Sequence, residues 1–211
     1  MNISAIRKDY SLKTLEISIL NTDPLQQFKV WLQEAINAEA LEVNAMTLAT
    51  IGLDGMPSGR IVLLKEVDTG FVFYTNYESQ KGKEIENNPV CSLTFFWPEL
   101  ERQVRIKGNI EKVSAQESDE YFLSRPVGSQ IGAWTSPQSQ KISSREELLS
   151  RQVEIEKQFE NSPITRPPHW GGYRVIPSTV EFWQGRPSRL HDRVRYQASE
   201  SGNWELSILA P

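Results

Sequence analysis

The chain has 211 residues, 38% of them hydrophobic and 24% charged, with a mean hydropathy of -0.46. That length suits one domain with a sizeable core, and that composition argues against a disordered, collagen-like or membrane-spanning chain. Lys and Arg total 23 against 27 Asp and Glu, a formal net charge of -4, so a protein built to coat nucleic acid is disfavoured and any anion site must be local.

The N-terminal MNISAIRKDYSLK carries no apolar stretch of signal-peptide length, and a cytoplasmic protein is expected. Cys91 is the single cysteine and lies in the apolar run CSLTFFW, where a buried, inert thiol is the expectation. His169 and His191 are the only histidines, too few soft ligands for a Cys/His zinc cage, and no metal is expected.

Residues 1–22 mix charges and isolated apolar side chains without a period and read as an arm or lid with one short helical turn, ahead of a single domain over 23–211. Asp23-Pro24 marks a helix start, and Leu25, Phe28, Trp31, Leu32, Ala35 and Ile36 form one apolar stripe that ends near Ala40. From Ala45 the period changes to that of strands: AMTLATI, RIVLLKEV, FVFYTN, CSLTFFW and RQVRIKGNIEKV. Asp54-Gly55 and Asp68-Thr69-Gly70 supply turns, and SQKGKEIENNP reads as a short helix stopped at Pro89. A further helix opens at Ser114 with Glu117 as a capping box and ends by Ser124 or Arg125, before Pro126. Another opens at Ser143 or Ser144, and strands resume at GYRVIP, TVEFWQ, RVRYQ and WELSIL, with Ser201-Gly202-Asn203 as the last turn. Eight or nine strands with few helices between them argue for a mainly β, closed or nearly closed antiparallel barrel. Neither GxGxxG nor GxxxxGK[ST] occurs.

Three segments could carry chemistry. If Arg189-Leu190-His191-Asp192-Arg193 is extended, period-2 geometry puts Arg189, His191 and Arg193 on one anion-seeking face; a solvated edge strand is the competing reading. Arg60 to Lys65 is an apolar strand with a cation at each end, suited to a hydrophobic ring with an anionic tail or to ordinary snorkelling. Tyr121 and Arg125 share a helix face and Ser129 follows just past Pro126, a donor set that could hold a phosphomonoester or could be a cap and a surface pair. Together they suggest phosphorylated aromatic ligands on a small barrel, and no G-x-S-x-G elbow supports nucleophilic catalysis.

RIVLLK, FYTN, SQKGKEIENNP, ERQVRIKG, YFLSRPVGSQIGAW, SPQSQKIS, HWGGYRVIP and VEFWQGRPSRLHDR, in this order, resemble the pyridoxamine 5'-phosphate oxidase family over essentially the whole chain. The resemblance implies an FMN-binding split barrel acting as a homodimer with two FMN sites at the subunit interface. It places FMN against Arg60, Ile61, Val62, Leu63, Leu64, Lys65, Tyr74, Thr75, Lys81, Gln103, Gln138, Ser139, Trp183 and Arg193. It places the substrate phosphate on Lys65, Tyr121, Arg125 and Ser129, the substrate ring beside Arg189 and His191, and an N-terminal closure on Arg7 and Tyr10. Arg189 and His191 are the implied catalytic residues.

The implied reaction oxidises pyridoxamine or pyridoxine 5'-phosphate to pyridoxal 5'-phosphate, passing two electrons to FMN and then to dioxygen, with hydrogen peroxide released and ammonia lost from the amine. Where the family often has Arg beside the FMN phosphate this chain has Gln80. A split-barrel flavin reductase with another substrate, or a pyridoxal 5'-phosphate carrier without turnover, would be the alternatives; the first has no reason to keep Tyr121, Arg125, Ser129, Arg189 and His191 together.

Overall fold

The computed structural model describes residues 2–5 and 9–211, and most of its helices start where a short polar side chain can satisfy free amides. In α1 (Pro24–Asn37) the Asp23 carboxylate accepts from the Leu25 amide at 2.8 Å. The helix stops at Asn37, short of the expected Ala40, and Glu39 turns the chain with a left-handed φ of 53°. Its buried stripe includes Phe28 and Trp31, which meet Phe71 and Phe182 edge-on at ring distances of 4.9 and 5.0 Å and plug the barrel.

Among the described residues, nine strands form one antiparallel sheet in the order β2-β1-β5-β6-β7-β4-β3, with β8 and β9 added at β7. The first four are β1 (Ala45–Ile51), β2 (Pro57–Leu63), β3 (Glu66–Val67) and β4 (Phe71–Asn76). The run expected as one strand, RIVLLKEV, is therefore broken. The Leu64 amide donates to the Asn44 carbonyl and the Lys65 amide to the Val72 carbonyl, both at 2.8 Å, which curls the sheet back on itself.

After β4 come α2 (Gln80–Asn87), capped by Ser79, then β5 (Val90–Trp97), β6 (Arg102–Lys112) and α3 (Ala115–Ser124), whose Ser114–Glu117 capping box forms as expected. α4 (Val127–Thr135) lies where no helix was read: Pro126 both ends α3 and stands at the N-cap of α4. α5 (Arg145–Gln158) is capped by Ser144. GYRVIP and TVEFWQ, read as two strands, are halves of one 15-residue strand, β7 (Trp170–Gln184). The interruption between them is an irregularity in its pairing with β6 at Lys107/Gly108, where a Cβ on Gly108 would lie 2.1 Å from the Ile176 carbonyl oxygen. The first half of β7 pairs with β4 and the second with β8 (Asp192–Ala198), which pairs in turn with β9 (Trp204–Ile208). The sheet forks along this strand into a curled half-barrel.

Arg189–Arg193 is not extended. Pro187–Arg189 forms one tight turn in which Ser188 and Arg189 take left-handed φ values of 55° and 63°, and β8 begins only at Asp192. Arg189 and His191 therefore do not share a strand face with Arg193; Pro187 and the 3.3 Å Arg186–Asp192 bridge hold the loop closed.

The N-terminal segment crosses the barrel as a strap. A carboxylate oxygen of buried Glu101 accepts from the Ser11 and Leu12 amides at 2.9 and 3.1 Å, and Asp192 accepts from the Leu15 amide at 3.0 Å. Among its described residues two short helical turns occur, Ile3–Ala5 and Ile17–Ile19, where one was expected. Cys91 is buried and its thiol is pushed up to about 12 by loss of solvent. No helix among the described residues is long and apolar enough to cross a membrane.

Candidate active site

A cleft of about 630 Å³ opens between β2, β4, the first turn of α2, the α3–α4 junction and the start of β7. Ile61, Val62 and Leu63 form one wall, and Tyr74, Thr75 and Lys81 lie on its floor. Lys65, Tyr121, Arg125, Ser129 and Gln138 approach from the rim. Strand alternation leaves Ile61 and Leu63 facing outward, 64% and 39% exposed, so an apolar surface is presented where a monomer would bury it.

The cations of the cleft are poorly compensated. Lys81 is buried, yet among the described residues its Nζ donates only to neutral groups: Thr75 Oγ1 at 3.2 Å, Ser79 Oγ at 3.2 Å and Gln138 Oε1 at 3.3 Å. Burial, and then the nearby Arg60 charge, pull its pKa below the ordinary lysine value, with the Glu84 carboxylate offsetting them only in part. Arg125 has a buried Nη1 with no hydrogen-bond partner, and burial lowers its pKa too. Tyr74 is pushed up to about 12, first by burial and then by Glu66 and Glu117, so its phenol remains a donor at neutral pH. Such a set attracts an anion that brings its own charge into the cleft.

A second group lies apart from this cleft. The Tyr10 ring meets Trp183 and His191 edge-on at 5.7 and 5.9 Å, and Trp183 lies 4.6 Å from the His191 ring. The Arg186 amide donates to His191 Nδ1 at 3.1 Å, which leaves the Nε2 of a neutral imidazole as its donor. Gln103 is paired with Trp183 across β6 and β7, and Arg193 with Trp183 across β7 and β8. The Arg193 guanidinium is held by Glu181 at 2.9 Å and by the Ala210 carbonyl at 2.8 Å. Arg189 is exposed on the Pro187 turn.

Of the residues expected around FMN or substrate, Ile61, Val62, Leu63, Lys65, Tyr74, Thr75, Lys81, Tyr121, Arg125, Ser129 and Gln138 line the cleft. Tyr10, Gln103, Trp183, Arg189, His191 and Arg193 do not line it within the same chain, Ser139 sits beside it with a left-handed φ of 71°, and Arg7 lies outside the described residues. Leu64 points into the core. Arg60 also turns inward, where Glu84 accepts from it at 2.8 Å; the buried Glu84 carboxyl is raised by burial but, on balance, held low by hydrogen bonds from Thr50, Gln80 and Arg60. Gln80 is engaged in the same network, its amide donating to Glu84 at 2.9 Å.

The sequence pattern of pyridoxamine 5'-phosphate oxidase matches residues 32–159, and that of the pyridoxine 5'-phosphate oxidase C-terminal dimerisation region matches residues 170–211. The chain belongs to the pyridoxamine 5'-phosphate oxidase family. The pyridoxine/pyridoxamine 5'-phosphate oxidase of Paraburkholderia phytofirmans is 55% identical, the alignment covering 100% of this chain and 99% of that one. The protein of the same name from Leptospira interrogans is 56% identical over 99% of this chain and 98% of its own length. Among solved structures, PhzG from Burkholderia lata, determined with tetrahydrophenazine-1-carboxylic acid, superposes with a TM-score of 0.88 at 30% identity, covering 95% of this chain and all of that one. A pyridoxamine 5'-phosphate oxidase-related, FMN-binding protein of Nostoc punctiforme shares the fold with a TM-score of 0.72 at 16% identity, over 91% of this chain and all of that one.

As a member of the pyridoxamine 5'-phosphate oxidase family the chain is an oxidoreductase of vitamin B6 metabolism with FMN as cofactor, built on the FMN-binding split barrel. The cleft fits that group: a buried Lys81 that hydrogen-bonds to neutral groups suits a phosphate and the Ile61–Leu63 wall suits a flat heterocycle. The cleft has further lining that sequence reasoning missed: Asn76, Pro126, Gly132, Ala133, Ser136 and Trp170. Those on α4 could have been found from Pro126, since proline is common at helix starts as well as after helix ends. Trp170 carries no signal that separates it from a core aromatic.

Proposed function

We propose that two copies of this chain share two active sites, each joining the cleft of one subunit to the Tyr10, Trp183 and His191 group of the other, and that pyridoxamine and pyridoxine 5'-phosphates are oxidised there to pyridoxal 5'-phosphate with dioxygen as acceptor. The single observation that supports this is the partition just described: one chain presents the phosphate donors in a cleft and the Arg189–Arg193 segment elsewhere, within the stretch that matches a dimerisation region. The exposed apolar Ile61, Leu63 and Phe96 favour a covering subunit.

In this reading Lys81, Thr75 and Gln138 hold the FMN phosphate, and Lys65, Tyr121, Arg125 and Ser129 grip the substrate phosphate. Bound FMN supplies the two-electron acceptor chemistry. Arg189 orients the substrate ring and stabilises charge developing on it, while His191 offers Nε2–H as a polar wall. Residues 1–22 serve as the arm that covers the site and 23–211 as the single barrel domain; Tyr10 already rests on His191 and Trp183. Arg7 belongs to the same closure.

Purified protein loaded with FMN is expected to turn over both phosphorylated vitamers with one hydrogen peroxide per aldehyde; FMN binding without peroxide would leave the carrier, and FMN reduction without vitamer oxidation the reductase. Sharing is tested separately by co-expressing subunits that carry Arg125→Ala with subunits that carry Arg189→Ala. A mixed dimer regains one intact site only if the two residues act across the interface, and mixed dimers as inactive as the parents would refute it.

A further inference from the structure

Arg125, proposed to grip the substrate phosphate, has no ionic partner to aim it: no hydrogen bond or ion pair to the guanidinium is present among the described residues, and its Nη1 is both buried and unpaired. A long side chain left this free would sample many rotamers and lose entropy on each binding event. Arg125 is nevertheless confined. Its Cζ lies 4.5 Å above the Trp170 ring and 5.7 Å from the Phe122 ring. Its main chain is held by Gln130, whose buried amide donates to the Arg125 carbonyl at 2.8 Å and to the Leu123 carbonyl at 3.3 Å.

Both restraints are themselves fixed. Trp170 opens β7 opposite Asn76 of β4, and its carbonyl accepts from Arg166 Nη1 at 2.7 Å while Arg166 Nε is held by Asp119 at 2.6 Å. The Trp170 ring lies within 4° of parallel to Tyr121 and 13° to Tyr74, so the plane over which the guanidinium sits is set by a stack of three rings. Gln130 spans the junction that Pro126 creates between α3 and α4, where the last carbonyls of α3 would otherwise lack donors.

We propose that Trp170 and Gln130 are positioning residues that aim Arg125 at the substrate phosphate: Trp170 offers its face to the cation without neutralising it, and Gln130 fixes the backbone from which the side chain springs. A carboxylate in place of the Trp170 ring would hold Arg125 as firmly but would compete with the phosphate; an aromatic face restrains the cation and leaves its N–H donors free. The role differs from packing because it predicts an effect confined to phosphate recognition.

This inference rests on Arg125 being part of the phosphate grip, so the experiment is a double-mutant cycle on FMN-loaded enzyme. Trp170→Leu is expected to raise KM for pyridoxamine 5'-phosphate about ten-fold, equivalent to about 1.4 kcal/mol, with a much smaller change in kcat and with FMN affinity retained. Trp170→Phe, which keeps an aromatic face, should recover most of the loss. In an Arg125→Ala background Trp170→Leu should add little further increase in KM, and Gln130→Leu should behave the same way by its separate route. Equal losses from Trp170→Leu with and without Arg125, or a fall in kcat and FMN affinity matching the rise in KM, would overturn the positioning role. If Arg125→Ala alone leaves KM unchanged, the phosphate assignment itself is at fault. Should Trp170→Leu not fold, the Gln130→Leu arm carries the same comparison.

Discussion

Lys81→Met tests the cleft most directly, because two consequences of opposite sign are expected from one side chain. In the flavin-free protein the ammonium is buried among neutral acceptors, and burial has already lowered its pKa. Removing the charge removes that desolvation cost. The acceptors are not stranded: the Ser79 hydroxyl still donates to the Asn76 carbonyl at 2.6 Å and accepts from the Gly82 amide at 3.3 Å, and Thr75 Oγ1 remains 3.4 Å from Gln138 Oε1. Flavin-free stability should therefore hold or rise. FMN loses a charge-assisted hydrogen bond of about 1.5–3 kcal/mol, so Kd should rise roughly 10- to 150-fold. Titration of flavin-free protein by flavin fluorescence, with urea unfolding of the same samples, reads both quantities. An unchanged Kd, or a destabilised flavin-free protein with unchanged Kd, would show that Lys81 is a structural cation.

The same residue sets a pH dependence. Because its folded pKa lies below the unfolded value, the unfolded chain holds more protons between the two, and its contribution makes flavin-free stability rise with pH across that window while FMN binding weakens as the amine loses its proton. Lys81→Met should abolish both trends.

Arg189→Ala should lower catalytic efficiency roughly ten-fold or more while leaving the FMN Kd alone, and an unchanged efficiency would remove Arg189 from the substrate. Deleting residues 1–12 strips the Tyr10 ring from Trp183 and His191 and the arm amides from Glu101; the barrel should still fold and take up FMN, with a raised KM, and failure to fold would make the arm structural. Glu84→Gln leaves Arg60 without its buried carboxylate and should cost about 2–4 kcal/mol of flavin-free stability, read by urea unfolding. The carboxylate's contribution is present above the ordinary glutamate pKa and fades as pH falls through its lowered one, so wild type and variant should converge in acid; a constant gap down to strongly acidic pH would refute the pairing.

How far each feature can be read from the chain depends on the range of the interactions that produce it. The Asp23 and Ser114 caps, and the turns at Gly55 and Gly202 with φ near 80°, are settled among residues a few positions apart and are legible in the sequence alone; the Ser79 cap is not singled out there, and the choice of Ser144 over Ser143 comes from the structure. The family was legible for another reason: eight ordered segments span the chain, and their order needs no knowledge of geometry. The α4 helix is hard to see in the sequence because Pro126, which ends α3, also stands at its start. The continuity of β7 depends on β6 running beside both its halves, a pairing remote in sequence that carries the strand through Pro177. Arg60 shows the same limit. Its apolar neighbours marked a strand, but whether a long cation on that strand meets a ligand or a buried carboxylate depends on Glu84, which only the packing of α2 on the sheet brings within 2.8 Å. The residue types of the site were thus determined by sequence, whereas their division between a cleft and a separate Tyr10–Trp183–His191 group was decided by tertiary structure, because which face of a sheet a side chain occupies is set by long-range strand pairing.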